Sequence, residues 1–203
     1  MGRLNIFKLV LFSSLMLLQT KSISQNLDIN ILKNINVNRN KSFDPTFKFI
    51  TNSLGPISAI GPLSVLATGF LSHDKALKNK GVFMVESIIA STIITDALKY
   101  TVKRKRPFET YTFIDKQAKA GSPSFPSGHT SASFNLATSL TISFPKWYVI
   151  APSFAYASAV GYSRMHLGVH YPSDVIAGAI IGSGSAWLCH YINQRYFNIK
   201  SRS

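Results

Sequence analysis

The chain is short of acid and nearly without cysteine. Only 8 residues of 203 are Asp or Glu, against 22 Lys and Arg, for a formal net charge of +14. That imbalance points to an anionic partner: nucleic acid, an acidic membrane surface, or phosphate groups. A single cysteine, Cys189, excludes an intrachain disulfide and leaves the compartment unmarked. No strand-like alternation stands out, and no period of twenty or more residues repeats, so the reading is helical. Long apolar runs are also scarce: mean hydropathy is only +0.14. What is present is length enough for one domain with a real core.

The N-terminus carries an address. Arg3 and Lys8 precede the apolar run Leu9–Leu18, and Ser22, Ile23 and Ser24 then place small residues where a signal peptidase reads. This is the layout of an export signal over residues 1–24, with an uncleaved anchor as the alternative. Its removal lowers the net charge from +14 to +11. Export also argues against a nucleic-acid partner for the basic run "KRKR".

Residues 25–53 are expected to form a polar N-terminal arm and 193–203 a basic C-terminal tail. Between them lie five runs nearly free of charge, Phe49–Ser72, Gly81–Thr95, Thr130–Pro145, Trp147–Ser163 and Val175–Gln194. They are rich in Ala, Ser, Leu and Ile and predict five helices. A span needs about 20 mostly apolar residues, which the first and last runs supply. Small residues, in turn, are what membrane helix interfaces favour. With the N-terminus outside, five spans put Lys75, Lys78, Lys80, Lys146, Arg195, Lys200 and Arg202 on the inner side, as the positive-inside rule requires. Lys99–Arg106, with five basic residues, would then lie outside, a violation that an anion site there would explain.

Three stretches carry chemistry. In "KYTVKRKRP", Lys99 and Arg106 either end a helix, where cations suit the dipole, or face an anion. In "PSGH", Ser127, Gly128 and His129 either open a plain helix or offer backbone N–H groups to a phosphate oxygen. In "SRMHLGVHYPSD", Arg164 suits phosphate geometry. His170 and Asp174, four apart, suit an imidazole held by a carboxylate, with the outer nitrogen free to attack. His166, His170 and Asp174 could alternatively form a two-His, one-carboxylate metal face. Gly168 and Pro172 interrupt the continuous helix that such a face needs, which leaves His166 a structural or rim role.

Each stretch alone has an ordinary explanation; the ordered set does not. The pattern K-x6-RP, then PSGH, then SR-x5-H-x3-D resembles the signature of the type 2 phosphatidic acid phosphatase (PAP2) superfamily, matched at every defined position and covering about residues 54–192. The resemblance implies an all-α helical bundle, membrane-embedded with about five spans after the signal. It also implies a metal-independent phosphatase with no cofactor. Lys99, Arg106, Arg164, Ser127 and Gly128 would bind the phosphate. His170 would be the nucleophile forming a phosphohistidine, Asp174 its orienting carboxylate, and His129 the proton donor. Asp96, three residues before Lys99, could steer it, or form an ordinary helical ion pair.

The implied substrate is the phosphomonoester or pyrophosphate of a membrane lipid, met on the outer face of the cytoplasmic membrane. A soluble exported acid phosphatase could use the same residues. A vanadium-dependent haloperoxidase would be a much longer chain, and a non-catalytic basic lipid binder would not need the acid–base–nucleophile set. The motifs specify neither head group nor oligomeric state.

Overall fold

The computed structural model describes residues 26–196; the expected signal and the end of the basic tail lie outside them. Among the described residues there is no strand. Helix α1 runs through residues 26–36, followed by a 3₁₀ turn, Lys41–Phe43. Then come α2 (Asp44–Leu71), α3 (Lys75–Val102), the single turn α4 (Pro107–Thr110), α5 (Gly128–Ser143), α6 (Trp147–His166) and α7 (Pro172–Tyr196). The five long helices coincide with the five runs expected, with α3 extending past both ends of its uncharged stretch.

Local chemistry sets their ends. Asp74 caps α3, its carboxylate accepting from the amides of Ala76 (2.8 Å) and Leu77 (3.0 Å). Lys103 ends α3 in the left-handed region, φ 52°; this turn folds the next residues back toward the helix ends. Ser127 caps α5, and Pro45 sits in the first turn of α2, where a missing N–H costs nothing.

α5 is the centre of the bundle and touches each of the other four long helices. At 16 residues it is about 24 Å long, short of a bilayer's hydrocarbon core of roughly 30 Å. Its buried face is polar and small: Ser131, Ser133, Asn135, Thr138 and Ser139 are all nearly inaccessible. All but Ser139 bond across helices. Ser131 Oγ meets Ser91 Oγ at 2.8 Å and accepts from Thr95 at 2.9 Å. Asn135 Nδ2 donates to the Ser87 and Gly182 carbonyls, and its Oδ1 accepts from Ser87. Leaving any of them unpaired would cost more than the bond contributes.

Such bonding requires close backbones. A Cβ on Gly178 would stand 2.6 Å from the Ser127 carbonyl oxygen, and one on Gly182 2.1 Å from that of Ser131. These glycines, four apart, let α7 lie directly against α5.

The outer surface is the reverse. Phe49, Ile60, Leu71, Ile93 and Ile180 are exposed, as lipid-facing positions would be. The segments Lys41–Leu71, Lys75–Thr110 and Pro172–Arg195 are long and apolar enough to cross a membrane. The α2–α3 turn and the α5–α6 turn lie at one end, where Lys80 sits 4.8 Å over the Phe144 ring. The three sequence motifs lie at the other.

Candidate active site

Four helix ends and two connections build the site. The last turn of α3 supplies Lys99, the start of α5 supplies Ser127 to His129, the last turn of α6 supplies Arg164, and the start of α7 supplies Asp174. Residues 103–127 add Arg106, and the α6–α7 connection adds His170. Gly168, at φ +71°, makes the turn that returns the chain from α6; a Cβ there would also meet the Asp115 carbonyl at 2.4 Å.

His170 is buried. Its Nδ1 lies 3.4 Å from Asp174 Oδ2, and its Nε2 lies 3.2 Å from Arg106 Nη1. Guanidinium nitrogens only donate, so Nε2 presents its lone pair and the ring proton sits on Nδ1, facing the carboxylate. Burial pushes the ring's pKa down to about 4, with Asp174 opposing and Arg106 and Arg164 reinforcing the shift. The imidazole is therefore neutral at neutral pH, with its free lone pair on the outer nitrogen.

Asp174 is fully buried and heavily bonded. Oδ2 accepts from Ser124 Oγ (2.5 Å) and the Tyr171 amide (3.0 Å), and Oδ1 from Arg104 Nη1 (2.7 Å). These partners lock the carboxylate in the orientation that faces His170.

Three cations surround the pair, each no more than 5% exposed. Lys99 Nζ donates to the carbonyls of Pro123 (2.9 Å) and Pro126 (2.6 Å), leaving the third ammonium proton uncommitted. Arg106 is held by the Ser122 and Val169 carbonyls, at 2.7 and 2.8 Å. Arg164 Nη1 donates to Thr51 Oγ1 at 2.7 Å, and its Nε is buried with no partner among the described residues. Three buried cations around one carboxylate leave an uncompensated positive charge, which is expensive in a low dielectric. An oxyanion would relieve it.

At the start of α5, the amides of Gly128 and His129 donate to no other described residue, as the first turn of a helix dictates. A Cβ on Gly128 would meet only the Lys99 and Thr95 side chains, at 3.7 and 3.9 Å. The glycine thus leaves open the space beside the ammonium, and no steric conflict forces it. Ser127 is wholly buried, and its oxygen accepts from the Thr130 hydroxyl at 2.9 Å, so only its own O–H remains to donate. His129 is exposed, within electrostatic reach of Arg164, His170, Arg106 and Lys99.

The alternatives at two positions separate cleanly. Asp96 makes no ion pair with Lys99, whose ammonium bonds carbonyls instead. His166 turns away from His170 and meets Asp44 Oδ1 at 2.8 Å, so the three residues of the conceivable metal face do not converge. Sequence reasoning missed Arg104, Ser124, Thr51 and Asp28, whose carboxylate takes the second arm of Arg104.

The family model for the PAP2 superfamily matches residues 80–198. The chain belongs to the PAP2 superfamily. Its segment over 125 residues is 34% identical to an undecaprenyl-diphosphatase of Sulfolobus acidocaldarius, covering 60% of this chain and 59% of that one. Over 88 residues it is 36% identical to a lipid A 4'-phosphatase of Bacteroides thetaiotaomicron, covering 43% and 39%. These matches span about half the length of the curated relatives. The fold is shared with a transmembrane PAP2 type phosphatidylglycerolphosphate phosphatase of Bacillus subtilis, TM-score 0.72 at 22% identity, over 93% of this chain and 96% of that one. This PAP2 protein is an all-helical membrane protein, as the sequence implies.

Proposed function

We propose that this PAP2 protein hydrolyses a phosphomonoester or diphosphate group of a membrane lipid, without a metal, through a phosphohistidine on His170. The observation that carries the reading is the meeting of Lys99, Arg106 and Arg164 around an imidazole whose outer nitrogen is unprotonated. Phosphoryl transfer needs positioning and charge neutralisation on three equatorial oxygens, and fixed cations with the Gly128 amide supply both. His170 Nε2 attacks phosphorus in line; the N–P bond forms as the bond to the lipid oxygen breaks. His129 gives its proton to that departing oxygen. Asp174 holds Nδ1–H and stabilises the imidazolium that results. His129, now neutral, takes a proton from water, which attacks phosphorus, breaks the N–P bond and releases inorganic phosphate.

A lipid substrate is supported by the exposed apolar belt and by the activities for which the relatives are named. An outer-face site is supported by the basic residues of both turns at the opposite end, Lys75, Lys78, Lys80 and Lys146. The test is phosphate release by the purified protein in detergent, from lipid phosphomonoesters, polyprenyl diphosphates and water-soluble phosphomonoesters. Turnover of a lipid member, lost in His170→Ala, is expected. Turnover of soluble esters alone, or none at all, would overturn the reading.

A further inference from the structure

The carboxylate behind the nucleophile is not held by its own neighbourhood alone. Arg104 divides its guanidinium between two acids: Nη1 donates to Asp174 Oδ1 and Ser173 Oγ, each at 2.7 Å, and Nη2 to Asp28 Oδ2 at 2.7 Å. The Tyr171 ring stacks against it, 3.9 Å from the guanidinium carbon to the ring centroid. Asp28 belongs to α1, and is itself buried. Its Oδ1 accepts from the Ser173 amide at 2.8 Å and its Oδ2 from the Ser173 hydroxyl. It therefore caps the first turn of α7, the turn that carries Asp174.

Asp28 touches no atom that would react, yet two consequences follow for one that does. The geometric one is that Arg104, stretched between the acids, presents one arm to Oδ1 of Asp174 and leaves Oδ2 for His170. The electrostatic one concerns charge balance. An arginine serving Asp174 alone would cancel its charge; one shared with Asp28 leaves the trio at net −1. That surplus faces an imidazole that must become cationic when it is phosphorylated. The other charges acting on His170 are Arg106 and Arg164, both positive, while the remaining nearby acids, Glu109 and Asp96, act on Arg106 and Lys99 rather than on the Asp174 side of the ring.

We infer that Asp28 and Arg104 are positioning residues for His170, acting through Asp174, and that helix α1 is a working part of the site. The inference rests on the phosphohistidine reading above. α1 is also anchored independently at its far end: Asn36 Nδ2 donates to the carbonyls of Asp115 (3.0 Å) and His166 (2.8 Å). Loss of the Asp28 charge should therefore leave the helix docked.

The test uses the full chain in detergent, with Asp28→Asn and Asp28→Glu compared to wild type. Three readouts are taken: lipid phosphate release, thermal unfolding, and titration of His170 by NMR of the histidine-labelled protein, assigned with His170→Ala. Asp28→Asn should lower kcat about tenfold, with KM within about threefold, and should move the His170 titration to lower pH. Asp28→Glu should recover part of both. Wild-type kcat and titration in Asp28→Asn would overturn the inference. So would a fall in kcat matched by the loss of folded protein, with the titration unmoved. If wild type itself releases no phosphate, the proposed function fails, while the titration still decides whether Asp28 reaches His170.

Discussion

Arg106 Nη1 lies 3.2 Å from His170 Nε2, on the side of the ring opposite Asp174. The contact does two things. It assigns the tautomer, since an N–H donor requires a lone pair opposite. It also places the phosphate-binding cation directly at the attacking atom. A phosphoryl group entering between them would take over the Nη1 hydrogen aimed at His170 and receive the lone pair in the same movement, because Nε stays anchored to the Ser122 carbonyl and the other Nη1 hydrogen to the Val169 carbonyl.

The acid limb of the reaction should follow from this environment. A histidine whose pKa is lowered to about 4 by burial stays neutral, and so nucleophilic, as pH falls through the usual range near 6.5. Activity resting on it is retained at mildly acidic pH and lost as pH falls through about 4. In a profile of kcat/KM, which reports groups of the free enzyme, the limb that belongs to His170 should accordingly lie well below pH 6. A limb near 6.5 that disappears in no other histidine variant would contradict it.

Removing the nucleophile and misorienting it should be separable. His170→Ala should abolish phosphate release with the protein still folded. Asp174→Asn preserves size but can offer N–H where Nδ1–H needs an acceptor, favouring the wrong tautomer. By comparison with other carboxylate–imidazole pairs, kcat should fall by roughly 10³–10⁴. Trapping labelled phosphate on the protein by rapid acid-free quench should show a phosphohistidine in wild type and none in His170→Ala.

The parts of this site that were readable are those written locally. Lys99, Arg106, Ser127, Gly128, His129, Arg164, His170 and Asp174 fall into three short patterns, and the structure brings all three to one end of the bundle. Arg104 was hidden because it stands in a run of four basic residues, where nothing distinguishes the one that reaches a buried acid. Asp28 pairs with Arg104 across 76 positions and with Ser173 across 145, a partnership without local trace. Its helix was obscured for a related reason: an Asn-rich composition reads as an irregular polar arm, and α1 is instead held by tertiary bonds from Asp28 and Asn36. The long helices show the opposite case, since charge-poor runs are a local property and mark all five of them, although only three segments are long and apolar enough to cross a membrane. What composition could not show is that α5, though uncharged, is short and buried among the others.

Inhibition should show whether the protein's own cations do the electrostatic work. Lys99, Arg106, the Arg164 Nε that bonds no described residue and the first amides of α5 together present donors enough for a phosphoryl group in the transition state. Excess EDTA should therefore leave phosphate release unchanged, and vanadate, which adopts the five-coordinate geometry of that transition state, should inhibit it competitively. Chelator-sensitive activity restored by Zn²⁺ would contradict the assignment. Arg164→Ala should raise KM and weaken vanadate together.

The final expectation concerns packing, because the site exists only if α5 and α7 approach closely. Asp174 and Ser127 are joined across these helices by the Ser127 amide, which donates to the Asp174 carbonyl at 3.0 Å. One turn and two turns further along α7, Gly178 and Gly182 meet α5 with no room for a side chain. In Gly182→Ala the new Cβ would press on the Ser131 carbonyl oxygen at 2.1 Å and the Asn135 amide nitrogen at 2.9 Å. Both are backbone atoms of the central helix and cannot rotate aside, so the helices must separate. Overpacking of this kind costs about 1–3 kcal/mol, and separation would also lengthen the Ser127–Asp174 bond and loosen the carboxylate behind His170. Thermal unfolding in detergent should fall, and kcat should fall with it at temperatures where the protein is still folded. Gly184→Ala is the matched control: nothing lies within 4 Å of its Cβ, and alanine is the better helix former by about 1 kcal/mol. Equal stability of the two variants would mean that α7 is not seated on α5 as described.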